Sequence, residues 1–221
     1  KGDVVFVSVN HRLNILGFLD LSAYGEKYTQ SANVGMLDIV KALEWVNKNI
    51  AGFGGNPSDV TICGESGGGG KVGTLMCMPA AKGLFHKAII QSGTLVNVMT
   101  KEKSQALALA VLENLGLTQN DVAKLDTISY AALVKAGNDA IAKISGPRRP
   151  GLAKMFGFAP SVDGVILLQQ PFSPAFADIS KDIPLMMGTT FNELINTVYA
   201  EKNLTSDQAR ERLTKIYGKK T

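Results

Sequence analysis

Hydrophobic positions along the chain change period several times, and each change marks an element. Asp3 to Val9, DVVFVSV, is a near-continuous apolar run of the kind carried by strands covered on both faces, and it predicts a buried parallel strand. From Gly35 to Ile50 the apolar residues Leu37, Val40, Leu43, Val46 and Ile50 recur at helical spacing. Phe53-Gly54-Gly55-Asn56-Pro57 stops that helix and turns the chain into a short β-rich run, Val60 to Cys63. A helical run over Lys71–Met78 and a third strand over Lys87–Gln91 follow. Strands and helices alternating in this way, joined by right-handed crossovers, build a doubly wound, mostly parallel sheet with ligands at the carboxyl ends of its strands.

Beyond Ser92-Gly93 the pattern becomes helical. Ser104–Leu115 and Tyr130–Ile144 are rich in alanine and leucine, with a more polar segment between them. Gly146-Pro147-Arg148-Arg149-Pro150-Gly151 reads as a loop, Pro184–Gly188 as another apolar strand, and Ser206–Tyr217 as a charged surface helix. Helices inserted between strands of such a sheet form a cap over its site, expected here for about residues 101–180. No internal repeat interrupts this order, and 221 residues suffice for one sizeable domain with a buried core.

Composition narrows the function classes. The chain is 45% hydrophobic and 19% charged, and its net charge of +4 is spread out except at Arg148-Arg149 and Lys219-Lys220, so nucleic acid is not an expected partner. No apolar run approaches the length of a membrane span. The first residues lead straight into a strand, and no signal peptide is expected there. Cys63 and Cys77 lie outside any polar cluster and read as free, buried thiols rather than a disulfide or a reactive pair. Cys, His and carboxylate spacings match no ligand pattern, so no metal and no cofactor is expected.

The chemistry concentrates in Val60–Thr74, VTICGESGGGGKVGT, where Ser66 sits in G-x-S-x-G between Gly64 and Gly68. A strand turning sharply into a helix forces such a serine into strained backbone, and side chains at the flanking glycines would collide across the turn. That geometry exposes the serine Oγ at a helix N-terminus and frees the Gly67 N–H to stabilise an oxyanion. A phosphate-cradling loop is the rival, since glycines run into Lys71. G-x-x-x-x-G-K-[ST] would need glycine where Glu65 stands and Ser or Thr where Val72 stands, and the rival fails at both.

VVFVSVNHRLNILGFL, NVGMLDIVKALEWVNKNIAGFGGNPSDVTICGESGGG, GLFHKAIIQSG, SVDG and PLMMGTTFNEL occur in that order. Together they resemble the type-B carboxylesterases, the α/β-hydrolases that include cholinesterases and bacterial para-nitrobenzyl esterases. The resemblance implies the α/β-hydrolase fold with helical cap insertions, and a serine esterase acting on small-molecule esters through an acyl-enzyme. It makes Ser66 the nucleophile and Gly67, where the family often has alanine, one oxyanion donor. The acid of the triad lies in G-[TN]-x-x-[DN]-E, matched by Gly188-Thr189-Thr190-Phe191-Asn192-Glu193, so Glu193 is the expected acid. Arg12 and Asp38 match positions that form a buried ion pair in the family.

Two family parts have no counterpart here. A glycine-rich oxyanion loop precedes the equivalent of Val4, and the general-base histidine follows the acid, whereas this chain's histidines are His11 and His86. His86 precedes its strand, about 17 Å of strand length from the edge that carries Ser66. His11 lies on the correct edge but stands where the family commonly has tyrosine. The chain therefore reads as an internal part of a longer esterase, with the oxyanion loop and the histidine segment outside it. Leu117 replaces a frequent disulfide cysteine, and Leu194 a frequent glycine. Met155, Gly157 and Phe158 are candidates to face an acyl pocket. Trp45 and the Phe53-Gly54-Gly55 turn read as packing, and Gln91-Ser92-Gly93 as structural rather than as the floor of the site. The competing class is a cholinesterase-like binding domain that keeps the fold without catalysis; an intact Ser66 and Glu193 speak against it.

Overall fold

The computed structural model describes residues 2–93, 97–145, 157–173, 175, 177–191, 193 and 204–217. It comprises two compact units, residues 1–188 and 189–221. The first holds a three-stranded parallel sheet of β1 (Thr61–Glu65), β2 (Lys87–Gln91) and a strand at Leu185–Gly188, in that spatial order. Ladder partners run from Thr61↔Lys87 to Glu65↔Gln91 and from Ala88↔Leu185 to Gln91↔Gly188, so Glu65, Gln91 and Gly188 lie level at the carboxyl edge.

Helix α1 (Asn14–Phe18), α2 (Val34–Asn49) and α3 (Gly67–Leu75) precede and follow β1 in sequence. The apolar stripe of α2 buries Met36, Val40, Leu43 and Val46, the first three in a core shared with Ile62, Val72, Leu75, Met76, Met78 and Ile90. Met36, Met76, Met78 and Ile90 are fully buried, each contributing roughly 1.5–3 kcal/mol over exposure. Along β1 only alternate residues enter this core: Ile62 is buried while Thr61, Cys63 and Glu65 are exposed. Cys63 is thus a free thiol but an exposed one, contrary to the expectation of burial. Cys77 is free and buried, its Sγ donating to the Pro171 carbonyl at 3.4 Å, and burial pushes its pKa up to about 11.

The expected strand over Asp3–Val9 is not formed. No described strand pairs with it, and Val4 and Phe6 are each 79% exposed. An apolar run makes a strand only where a neighbour supplies ladder partners, so sequence pattern alone overstates this element. The helix expected at Lys71–Met78 instead begins at Gly67, directly after the serine, and ends at Leu75. The other elements fall close to their expected places.

A short strand β3 (Met99–Thr100) leads into α4 (Lys101–Asn114) and α5 (Tyr130–Ser145), after which β4 (Ser161–Val162) pairs in parallel with β3. The strand at Leu185–Gly188 is β5. Thr100 caps α4, its Oγ1 accepting from Lys103 N–H. Helices α4 and α5 pack on each other around Leu107, Val111, Leu112, Ala136, Ala140 and Ile141, a second core that also takes in Ile15, Leu19 and Leu21. Leu117 packs against that core. Phe158 packs against both cores. Met155 and the 146–151 loop lie outside the described residues, as does Leu194.

A buried polar lock joins the start of α2 to β4. Asn33 donates to the Ser161 carbonyl and to Asp163 Oδ2, both at 2.8 Å, and accepts from Ser161 N–H at 3.1 Å. Asp163 Oδ1 in turn accepts from the N–H groups of Val165, Ile166 and Leu167. Deleting either side chain would leave several buried groups unpaired. In the second unit α6 spans Ser206–Tyr217, opened by Thr205, which accepts from Gln208 N–H at 3.3 Å.

Arg12 and Asp38 meet in a two-pronged ion pair: Nη2 to Oδ1 at 2.6 Å and Nε to Oδ2 at 2.8 Å, with the Arg12 N–H on Oδ2 at 2.9 Å. It is not buried, since the side chains are 54% and 25% exposed. The Arg12 side chain holds the Asp38 carboxyl below its ordinary range, against a smaller opposing effect of burial. A depressed folded pKa gives stability that is present above the unfolded value and lost as pH falls through the folded one. Exposure limits the pair to about 1 kcal/mol. Asp38→Asn should lower chemical-denaturation stability by that amount at neutral pH, with the gap to wild type narrowing below about pH 4. A gap that does not change with pH would show that charge pairing is not its source.

Candidate active site

Ser66 occupies the junction of β1 and α3 with φ 52° and ψ −119°, a positive-φ conformation rare for a residue with a side chain. Such backbone costs on the order of 1–3 kcal/mol and persists only where surroundings over-determine it. Here the Ser66 N–H donates to the Gln91 carbonyl at 2.8 Å, and its own carbonyl accepts from Gly70 N–H at 3.0 Å. Ser92, at the matching end of β2, also has positive φ (50°), and its N–H donates to the Gly188 carbonyl at 2.8 Å. The ends of three strands are thereby cross-braced under the serine.

Close approach of backbones explains the glycines. A Cβ at Gly64 would overlap the Gly68 carbonyl, and one at Gly93 would overlap the Ser66 carbonyl. At Gly69 it would lie 3.0 Å from Gly93 Cα. Gly68 itself, expected to be small for the same reason, has nothing within 4 Å of a Cβ position. The collision runs from Gly64 to the Gly68 main chain and from Gly93 to Ser66, so Gly93 and Gly69 take the part that motif spacing assigns to Gly68. The sequence pattern marks Gly93 as structural without saying what it contacts; its position after a strand ending level with Glu65 is the signal that could have found it.

Ser66 is half-buried and Gly67 exposed. As the first residue of α3, Gly67 has no acceptor inside the helix for its N–H. Lys71, one turn along, is half-buried, and burial lowers its pKa; its Nζ donates to the Gly67 carbonyl at 3.4 Å. His11 has its pKa lowered by burial and then by the Lys71 charge, with Asp38 and a hydrogen bond to the Val9 backbone opposing. The imidazole is therefore neutral at neutral pH. Its Nε2 is buried without a hydrogen-bond partner, so it does not hold the Ser66 hydroxyl. His86 Nδ1 accepts from Val60 N–H at 3.1 Å, at the amino end of β1, the far edge from Ser66.

Glu193 belongs to the second unit, where its Oε1 accepts from Thr190 N–H at 2.9 Å and the residue is exposed. Asn192, its neighbour in the motif, lies outside the described residues. Phe158 and Gly157 pack on α5: a Cβ at Gly137 would lie 2.9 Å from the Phe158 ring, and one at Gly157 would overlap Ile141. Trp45 and Phe53 pack on each other with ring centres 5.8 Å apart. Among the described residues no three His, Cys, Asp or Glu side chains could jointly hold a metal ion, and no helix is long and apolar enough to cross a membrane.

The Carboxylesterase family model matches residues 1–220. This chain belongs to that family. It is 40% identical over 193 residues to the para-nitrobenzyl esterase of Bacillus subtilis (strain 168), a match covering 87% of this chain and 38% of that protein. The human cocaine esterase is 35% identical over 196 residues, 86% of this chain and 32% of that protein. A solved structure of a PNB esterase superposes with TM-score 0.77 at 36% identity, covering 95% of this chain and 44% of that one. This member of the family thus has the α/β-hydrolase fold in part, spanning less than half the length of these relatives.

The strained serine generates a test of its own. Gly93→Ala should either displace the Ser66 carbonyl or open the β1–β2 edge, since the overlap is with main chain rather than a flexible side chain. The expected outcome is a loss of about 2–4 kcal/mol in stability, read by denaturant unfolding. Gly68→Ala, with open space, should be near neutral; equal damage at both positions would refute the steric assignment.

Proposed function

We propose that this chain supplies the nucleophile and the acid of a serine carboxylesterase. One observation carries the reading: Ser66 is held at positive φ in a strand-to-helix turn inside G-x-S-x-G, in a member of the carboxylesterase family. A binding domain has no use for a serine kept in a strained conformation, so catalysis is favoured over the non-catalytic alternative. The family motif supports Glu193 as acid, matched by Gly188-Thr189-Thr190-Phe191-Asn192-Glu193.

In this reading Ser66 Oγ attacks the ester carbonyl and gives its proton to a histidine supplied from beyond this chain. The tetrahedral oxyanion is bound by the Gly67 N–H together with donors of a glycine-rich loop. The imidazolium protonates the departing alcohol, and water then cleaves the acyl-enzyme by the same steps in reverse. Glu193 orients the imidazole and stabilises its charged form. Residues 1–221 are part of a single catalytic domain in this reading, with about residues 101–180 as its cap. Substrates are small-molecule carboxylic esters, in line with the para-nitrobenzyl esterase name of the Bacillus subtilis relative. No metal or cofactor takes part.

In the full-length gene product a fluorophosphonate probe should label Ser66. Ser66→Ala should abolish labelling and ester turnover together. Glu193→Gln should leave folding intact and slow turnover by about four orders of magnitude, as loss of a triad carboxylate does. Folded protein that no fluorophosphonate labels would favour the binding-domain reading instead.

A further inference from the structure

The first turn of α3 is Gly67-Gly68-Gly69-Gly70, four consecutive glycines. Glycine is the poorest helix former after proline, because its backbone loses the most freedom on ordering. That turn carries the N–H assigned above to the oxyanion, and catalysis by such a donor depends on its being fixed before the reaction. Gly69 and Gly70 are buried and held by their neighbours, whereas Gly67 is exposed and Gly68 half-exposed. The residues closest to the chemistry are therefore the least restrained by packing.

Lys71 reaches back over this turn. Its Nζ donates to the Gly67 carbonyl at 3.4 Å and lies 6.0 Å from the centre of the Phe18 ring. That ring is almost fully buried and lies against Gly35, where a Cβ would come within 2.8 Å of it. The ammonium is half-buried, and no ion pair to a carboxylate is formed by it among the described residues. Its charge also acts on His11, helping to keep that imidazole neutral. A desolvated cation without a counter-charge is costly, and a fixed aromatic ring with a backbone carbonyl on the glycine turn is what it has instead.

We propose that Lys71 is a positioning residue of the hydrolytic site: by holding the Gly67 carbonyl against the Phe18 platform it restrains the Gly67 backbone, and so the oxyanion-binding N–H on the other side of the same Cα. The Gly67 carbonyl already receives the helical N–H of Lys71, and the side chain adds a second donor to the same oxygen. This rests on Ser66 and Gly67 acting as assigned above, and the experiment separates the two claims.

In the full-length enzyme, Lys71→Met keeps the stem against Phe18 and removes the ammonium. With a p-nitrophenyl ester, kcat should fall about tenfold with KM little changed, less than the loss of a whole oxyanion donor. The rate of fluorophosphonate labelling should fall in parallel. Lys71→Arg should recover most of the loss. Gly67→Ala combined with Lys71→Met should recover part of it, because a Cβ there meets only Lys71 Nζ, at 3.8 Å, and alanine stiffens the turn. Lys71→Gln serves as second variant if the methionine protein does not fold. An unchanged kcat, a change in KM alone, or a loss that neither arginine nor alanine repairs would overturn the proposal while leaving the esterase reading standing. Wild-type enzyme whose Ser66 is not labelled would overturn the esterase reading, and this one with it.

Discussion

The van der Waals contact between the Gly93 backbone and the Ser66 carbonyl is the constraint on which the site depends. It lets β2 end within touching distance of the β1–α3 junction, so that Gln91 can accept the Ser66 N–H and close the turn. Without that closeness nothing would hold a serine at φ 52°, and the favourable alternative would be to relax to ordinary backbone. The same tightness explains why Gly64 and Gly69 are glycines. One steric condition thus accounts for three glycines, one in β1, one in α3 and one just after β2.

Sequence reasoning reaches most of this frame because its elements announce themselves locally. The stripe Leu37 to Ile50 specifies α2, and KAIIQ specifies β2 to the residue. G-E-S-x-G flanked by a strand and a helix identifies the elbow, whereas the proposal of Glu193 as acid rests on its family motif. What fails is non-local. Asp3–Val9 has strand composition, but strand formation needs a partner, and composition does not say whether one is there. Arg12–Asp38 pairs as the family positions imply, yet its exposure depends on what covers the loop, which no residue type encodes. The burial of Cys63 is misjudged for the same reason: its strand is covered on the Ile62 face and open on its own. The parts of Gly93 and Lys71 escape notice because each bears on main-chain atoms elsewhere in the elbow, Gly93 by close approach and Lys71 through its ammonium, and such contacts leave no residue pattern to read.

The two cores divide the labour of the first unit. One packs α2 and α3 against the sheet and so fixes the height of Ser66 above the strand ends. The other holds α4 and α5 around Val111 and Ala140. Phe158 belongs to both, while the buried Asn33–Asp163 lock ties the segment after α5 back to the start of α2. A buried amide and carboxylate held in such a network add orientation more than net stability. They specify how the helical pair is attached, a matter on which apolar contact alone is permissive.

Helix α3 shows why strain and order coexist a few residues apart. Its second half, Val72 to Leu75, is buried and continues into fully buried Met76 and Met78, with the Ser180 hydroxyl donating to the Met76 carbonyl. Its first half is glycine alone, which the close approach of Gly64, Gly68 and Gly93 requires at some positions and merely permits at others. Gly67 and Gly68 have room for a methyl group, so their lack of a side chain is not a steric necessity. A helix anchored at its carboxyl end and sparsely packed at its amino end transmits its rigidity forward only through contacts that span the turn. Lys71 is placed at that boundary, on the last residue before the buried half, and reaches back to the first residue of the glycine half. Packing thus fixes where the helix lies, while a single charged side chain spans the turn that presents the amide next to Ser66.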